Sequence, residues 1–181
     1  MRRVVLVLAI AVLLGACGGS DTEVVLTKVP TDLAPPQVAA GTIKLYPKTD
    51  KATVRAFADA GDRSLQADAK LWELRQGDRL VGALQITTVV PKLDLAFEED
   101  RTSLLRQIMP GTVNQLEVGE QPVWVTASND KVTYLWFGKG LFQVLQLKGS
   151  RLEPEQVLTD VVTFQEGTKA WEPLPPEVYE N

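Results

Sequence analysis

The sequence contains no histidine and one cysteine, Cys17. Without histidine, Ser-His-Asp and Cys-His nucleophile arrangements are excluded, and so are most catalytic zinc sites, which need imidazole ligands. No side chain titrates near neutrality unless its environment shifts it. One cysteine allows no intrachain disulfide. A long apolar run is also lacking. The longest, Val4–Leu14, has 11 residues, where a membrane-spanning helix needs about 20. Basic charge is not in excess either: 19 Lys and Arg stand against 23 Asp and Glu, a formal charge of −4.

What is present begins at the N-terminus. Arg2 and Arg3 precede the apolar run, small residues close it, and Gly18-Gly19-Ser20 follow Cys17. The order basic, apolar, small is that of an export signal that is removed on secretion. Leu14-Gly15-Ala16-Cys17 resembles the lipobox of bacterial lipoproteins. The resemblance implies cleavage between Ala16 and Cys17, a diacylglyceryl group on the Cys17 sulfur, and a protein lipid-anchored at the extracytoplasmic face of the cell membrane or the outer membrane. Two acyl chains hold a protein stably where one holds it only marginally. Gly18 stands where an Asp retains some lipoproteins at the inner membrane.

Removing residues 1–16 as a signal peptide leaves 165 residues with 17 basic and 23 acidic side chains. That length suffices for one domain with a real core. The resulting formal charge of −6 argues against a nucleic-acid partner. It also argues against electrostatic attraction to anionic lipid, so membrane attachment falls to the acyl chains.

Residues 17–41 read as a lipidated N-terminus and flexible tether. Pro30, Pro35 and Pro36 interrupt the segment, and Val24, Val25 and Leu26 are its only apolar cluster, so it buries little. The folded domain is expected over 42–167. Ile43, Leu45 and Tyr46 predict a first strand ended by Pro47, and 51–59 a short helix. Alternation over 69–75 and 79–90 around Gly77-Asp78 predicts a hairpin. Glu98-Glu99-Asp100 open a helix with favourable charge for its N-terminus, whose stripe is Phe97, Leu104, Leu105, Ile108 and Met109. Strands follow over 113–118, 122–128, 131–137 and 141–148, the last two joined by Gly138-Lys139-Gly140. Ser150 and Glu153 have capping-box spacing ahead of a last helix with Pro154 in its first turn, and Val157, Leu158, Val161 and Phe164 form its stripe. The Pro-rich tail 168–181 is expected to be extended, with Trp171 folding back and Pro173–Pro176 in Pro-x-x-Pro spacing.

Hairpin connections and the lack of regular helical crossovers predict a single α+β domain. Its sheet is mostly antiparallel, of six to seven strands, with two to three helices. The element order resembles the Mog1/PsbP-like α+β sandwich.

The 131–148 hairpin is apolar on both parities, so it is either central and covered on both sides or has one face that binds something greasy. Grouping Val132, Tyr134, Trp136, Phe142 and Val144 on one parity, with Trp124 beside them, makes Trp124, Tyr134, Trp136 and Phe142 the candidate face for an apolar ligand or partner. The carboxylates Asp59 and Asp62, and Glu98 to Asp100, sit at spacings common on turns and helix starts, and no catalytic residue, metal site or cofactor is read from them. Three functions rank in order. The first is a non-catalytic binding or assembly module with an envelope protein partner. The second is a carrier or sensor of an apolar or lipid ligand, and the last a histidine-free hydrolase.

Overall fold

The computed structural model describes residues 26–48, 65–128, 130–149 and 153–179. Among them, one antiparallel sheet of eight strands carries the fold: β1 (Gln37–Val38), β2 (Ile43–Lys48), β3 (Gln66–Gln76), β4 (Arg79–Val89), β5 (Asn114–Val118), β6 (Gln121–Ser128), β7 (Lys131–Gly138) and β8 (Leu141–Lys148). Two helices accompany it, α1 (Glu98–Ile108) and α2 (Pro154–Glu166). The spatial order is β1-β2-β3-β4-β8-β7-β6-β5. The chain therefore makes two meanders, and α1 carries it from the end of the first to the far edge of the second, which returns until β8 pairs with β4.

The two expected hairpins form where the turn residues placed them: Gly77-Asp78 joins β3 to β4, and Lys139-Gly140 joins β7 to β8. A third hairpin turns at Gly119-Glu120 between β5 and β6. Gly77 and Gly140 have φ of 59° and 69°, the left-handed conformation that two-residue hairpin turns require and glycine adopts without steric cost. β2 runs through Pro47 to Lys48 instead of stopping. β1 pairs only with Ile43 and Lys44 of β2, so the missing N–H of Pro47 falls on an unpaired edge, where proline is tolerated.

The eighth strand, one more than expected, is β1, and it lies in the segment read as a tether. That reading is corrected for residues 26–41. Val29, Leu33 and Val38 are buried in the core. The Val29 amide donates to Asp68 at 2.9 Å, and Lys70 Nζ donates to the Val29 carbonyl at 2.8 Å. The Ala39 amide donates to Asp160 of α2. The segment is proline-rich, but its few apolar side chains are spaced to reach the sheet. The expected helix at 51–59 lies outside the described residues, as do Val24, Val25 and Ser150.

Side chains on the first face of the sheet, among them Leu84, Ile86, Trp136 and Leu145, pack under α2 and the 29–38 segment. On the second face, Leu135, Phe137, Phe142 and Val144 pack against α1, Leu93, Leu95 and Leu174. The central hairpin is thus covered on both sides, which accounts for its two apolar parities. α2 starts with Glu153 as its cap residue and Pro154 in the first turn. Its buried stripe is Val157, Leu158, Val161, Val162 and Gln165. Phe164, expected in that stripe, is 37% exposed, and Phe97, expected to join the α1 stripe, is 64% exposed; both lie off the helical face that meets the sheet.

The C-terminal segment docks instead of trailing. Trp171 packs against the first-face core. Gly138 bridges to Pro173, and a Cβ on Gly138 would come within 2.7 Å of the Trp171 ring. The Lys139 amide donates to the Glu172 carbonyl at 2.8 Å. A 3-10 turn, Pro176–Val178, then brings Tyr179 beneath α1.

Candidate functional site

The four residues expected to share an apolar face do not share one. In the β7–β8 register, Trp136 lies opposite Gln143, and Phe137 opposite Phe142. Directly opposite residues point to the same side of an antiparallel pair. Paired numbers across this turn sum to an odd total, so even-numbered positions of β7 share a face with odd-numbered positions of β8. Grouping by parity alone therefore put Phe142 and Val144 on the wrong side. Tyr134 and Trp136 belong to the first face, and Phe142 to the second, where Trp124, opposite Leu135 in β6, also lies. Tyr134, Trp136 and Phe142 are 3%, 0% and 1% exposed. They fill the interior. Burial, with a smaller push from Glu155, raises the pKa of the Tyr134 phenol.

Of the carboxylates considered, Glu98, Glu99 and Asp100 occupy the first turn of α1. Asp100 accepts a hydrogen bond from the Asp94 amide at 2.9 Å, so it fixes the turn that leads into the helix. Among the described residues, no group of three His, Cys, Asp or Glu side chains is arranged to hold a metal ion. Ala16, Cys17, Asp59 and Asp62 lie outside the described residues.

Trp124 alone leads to a site. Its ring meets Phe137 edge-on at 5.1 Å and Tyr179 at 6.2 Å between centroids. These rings, with Glu98, Arg101 and Thr102 of α1, border a cleft of about 170 Å³ on the second face. Arg101 forms its charged wall. The residue is 5% exposed, and its guanidinium donates to the carbonyls of Leu95 (2.8 Å), Ala96 (2.9 Å) and Val178 (2.6 Å). It also lies over the Tyr179 ring at 5.2 Å, a cation–π geometry. Burial pushes the Arg101 pKa down, opposed by Tyr179 and Glu98; an arginine stays protonated regardless. Burial pushes the Tyr179 phenol up, opposed by the Gln121 amide and the Arg101 charge. The Gln121 side-chain N–H groups are directed to the carbonyls of Pro122 and Phe137, so the Gln121 amide lies beside the buried Tyr179 hydroxyl without reaching hydrogen-bond geometry to it.

The cleft was missed because its parts come from three distant stretches of chain. One signal was available. Arg101 stands three, four and seven residues before Leu104, Leu105 and Ile108, on the apolar stripe of α1, where a charged side chain is out of pattern.

No family model, no curated protein and no solved structure matches this chain.

Proposed function

We propose that the protein is a lipid-anchored lipoprotein. Acyl chains on Cys17 hold it at the extracytoplasmic face of a membrane, where its domain acts as a non-catalytic binding or assembly module of the cell envelope. The observation that carries the reading is the order Arg2-Arg3, Val4–Leu14, Leu14-Gly15-Ala16-Cys17, a charged start, a short apolar core and a small-residue cleavage site. Among the described residues no helix is long and apolar enough to cross a membrane. Element order, with helices against both sides of the sheet, keeps a Mog1/PsbP-like sandwich as the proposed fold kinship.

The docked N-terminal segment shortens the tether. Eight residues, 18–25, lie between Cys17 and Leu26, which packs against the core. Even fully extended, the nine residue-to-residue steps span only about 30 Å. The domain then works within one domain diameter of the bilayer, and anchoring confines its partners to a thin layer at high effective concentration.

Radiolabelled palmitate tests the anchor. The wild-type protein is expected to incorporate label and sediment with membranes, and Cys17→Ala to do neither. Label retained by Cys17→Ala contradicts the assignment. The second reading, carriage of an apolar ligand, draws its support from the Trp124 cleft and no longer from Trp136.

A further inference from the structure

We propose that one end of the sheet's second face binds a carboxylate-bearing polysaccharide of the cell envelope. Four cations in a row hold its acid groups, and the exposed ring of Tyr46 lies against its sugars. The proposal names a ligand for the binding-module reading and rests on it.

Strand register builds the row. Lys44 of β2 lies directly opposite Arg75 of β3, Arg75 opposite Leu80 of β4, and Lys148 of β8 opposite Lys131 of β7. Opposite residues share a face. Arg75 adjoins Leu74, which packs in the first-face core, and Lys148 is four residues on from Val144, which packs in the second. Side chains alternate along a strand, so all four cations lie on the second face. They cross five neighbouring strands, β2-β3-β4-β8-β7, a span of about 19 Å at the usual strand spacing.

Like charges directly opposite one another destabilise a sheet, and this row contains two such pairs, Lys44 with Arg75 and Lys131 with Lys148. Glu73 answers Arg75 at 2.9 Å, and Asp130 reaches Lys148 only at 4.0 Å. Lys44 and Lys131 make no ion pair among the described residues. Lys48 and Arg79 flank the row, and the carboxylates beside it are Glu73, Asp78 and Asp130. Cations thus predominate here in a chain whose formal charge is −4. A polymer of single negative charges relieves both repulsive pairs and supplies each cation with an acceptor.

Lining and setting select the kind of polymer. β3, β4, β8 and β7 each have a strand on both sides, so no peptide strand can add there. Tyr46, on the same face of β2 as Lys44, is 46% exposed. A ring held beside cations meets the apolar face of a sugar while the charges take its acid group. The proposed anchor turns this surface outward. A Cβ on Gly140 would lie 3.8 Å from Leu26, so the chain from Cys17 enters the domain at the β7–β8 turn. Lys131 and Lys148 lie seven residues along their strands from the Gly138–Leu141 pair, about 23 Å from that end. The row therefore faces envelope polymer and not the bilayer that holds the protein.

The test titrates the full-length, detergent-extracted protein with polygalacturonate, followed by calorimetry. The comparison ligands are its fully methyl-esterified neutral form, poly-glutamate, and micelles doped with phosphatidylglycerol. Polygalacturonate is expected to be preferred over each of these by about tenfold, and to lose its affinity at about 1 M salt, where charges act only within about 3 Å. Lys44→Gln combined with Lys131→Gln is expected to weaken it about tenfold, the scale of two exposed charge contacts. The urea midpoint of this double variant should equal or exceed that of wild type, because both repulsive pairs are gone. Arginine at the same two positions should retain binding, and Lys92→Gln, three residues past the Val89 that bonds Gly140 at the turn end, should leave it unchanged. Tyr46→Ser should weaken it about fivefold. Equal affinity for acid and ester, undiminished binding in the double variant, or poly-glutamate or doped micelles bound as tightly as polygalacturonate overturns the proposal. Palmitate labelling of the same preparation separates the two readings. Labelled protein that binds no polygalacturonate removes this surface and leaves the anchored module. Unlabelled protein that binds it removes the anchor and leaves the surface.

Discussion

Gln143 and Gln165 exchange hydrogen bonds through both ends of their side-chain amides, at 2.9 and 2.6 Å, in the interior of the protein. Gln143 sits in β8 at the middle of the sheet and Gln165 in the last turn of α2, and both are fully buried. The Gln165 oxygen also accepts from Trp136 Nε1 at 3.2 Å, and its nitrogen donates to the Leu33 carbonyl at 2.9 Å. One side chain thus ties helix, sheet and N-terminal segment together, and the network is satisfied in a medium where unpaired polar groups are costly.

Gln165→Leu keeps approximate volume and removes every one of those bonds. The indole N–H, the Gln143 amide and the Leu33 carbonyl lose their partner together. The expected loss is about 3 kcal/mol, within the range for leaving buried polar groups unsatisfied. Urea unfolding monitored by circular dichroism measures it. Gln143→Leu alone should also destabilise, and the double variant should cost less than the sum of the two, because the pair acts as a unit.

The N-terminal segment gives a second prediction. A chain starting at Leu26 retains the contacts of Val29, Leu33 and Val38, whereas a chain starting at Thr42 loses all three. Burying each of these side chains contributes about 1.5–3 kcal/mol, so the Thr42 start should lose about 5 kcal/mol or fail to fold. The Leu26 start should match full-length protein in urea midpoint. Equal stability of the two truncations would mean that β1 and its approach add nothing to the domain.

Acid sensitivity should come in part from Glu73 on β3. Its carboxylate holds Lys48 Nζ and Arg75 Nε, each at 2.9 Å. The Lys48 hydrogen bond is the largest cause that lowers its pKa below the ordinary 4.5; burial works the other way, and Arg75 adds to the lowering. A lowered folded-state pKa means that the unfolded chain binds the proton first, so stability rises with pH across this interval. The contribution is complete above the ordinary glutamate value and disappears as pH falls through the folded value. Both cationic partners are about one-third exposed, so screening limits the effect to about 1 kcal/mol or less. Glu73→Gln should therefore be less stable than wild type at pH 7 and no less stable near pH 3, read as the difference between urea midpoints.

Strand pairing was legible wherever alternation met a turn glycine, as at Gly77 and Gly140, because local geometry fixes register there. The two-sided apolar pattern of 131–148 left two readings open, a central hairpin covered on both faces or one with a greasy binding face, and the structure has the first. Which residues share a face was not legible from parity, since the turn length decides whether Phe142 joins Trp136 or Phe137. The 26–41 segment looked like a tether because composition averages over Val29, Leu33 and Val38, while packing depends on where each one lands. The cleft was least legible. Arg101, Trp124 and Tyr179 meet only after the second meander and the C-terminal segment have closed over α1, and only the misplaced charge on the α1 stripe hinted at it.

The anchored-module account is tested most directly by the intact mass of the native protein extracted from membranes. The account predicts a chain that begins at Cys17 and carries the added mass of a diacylglyceryl group on that residue. A chain that retains Met1 and an unmodified Cys17 thiol would contradict it.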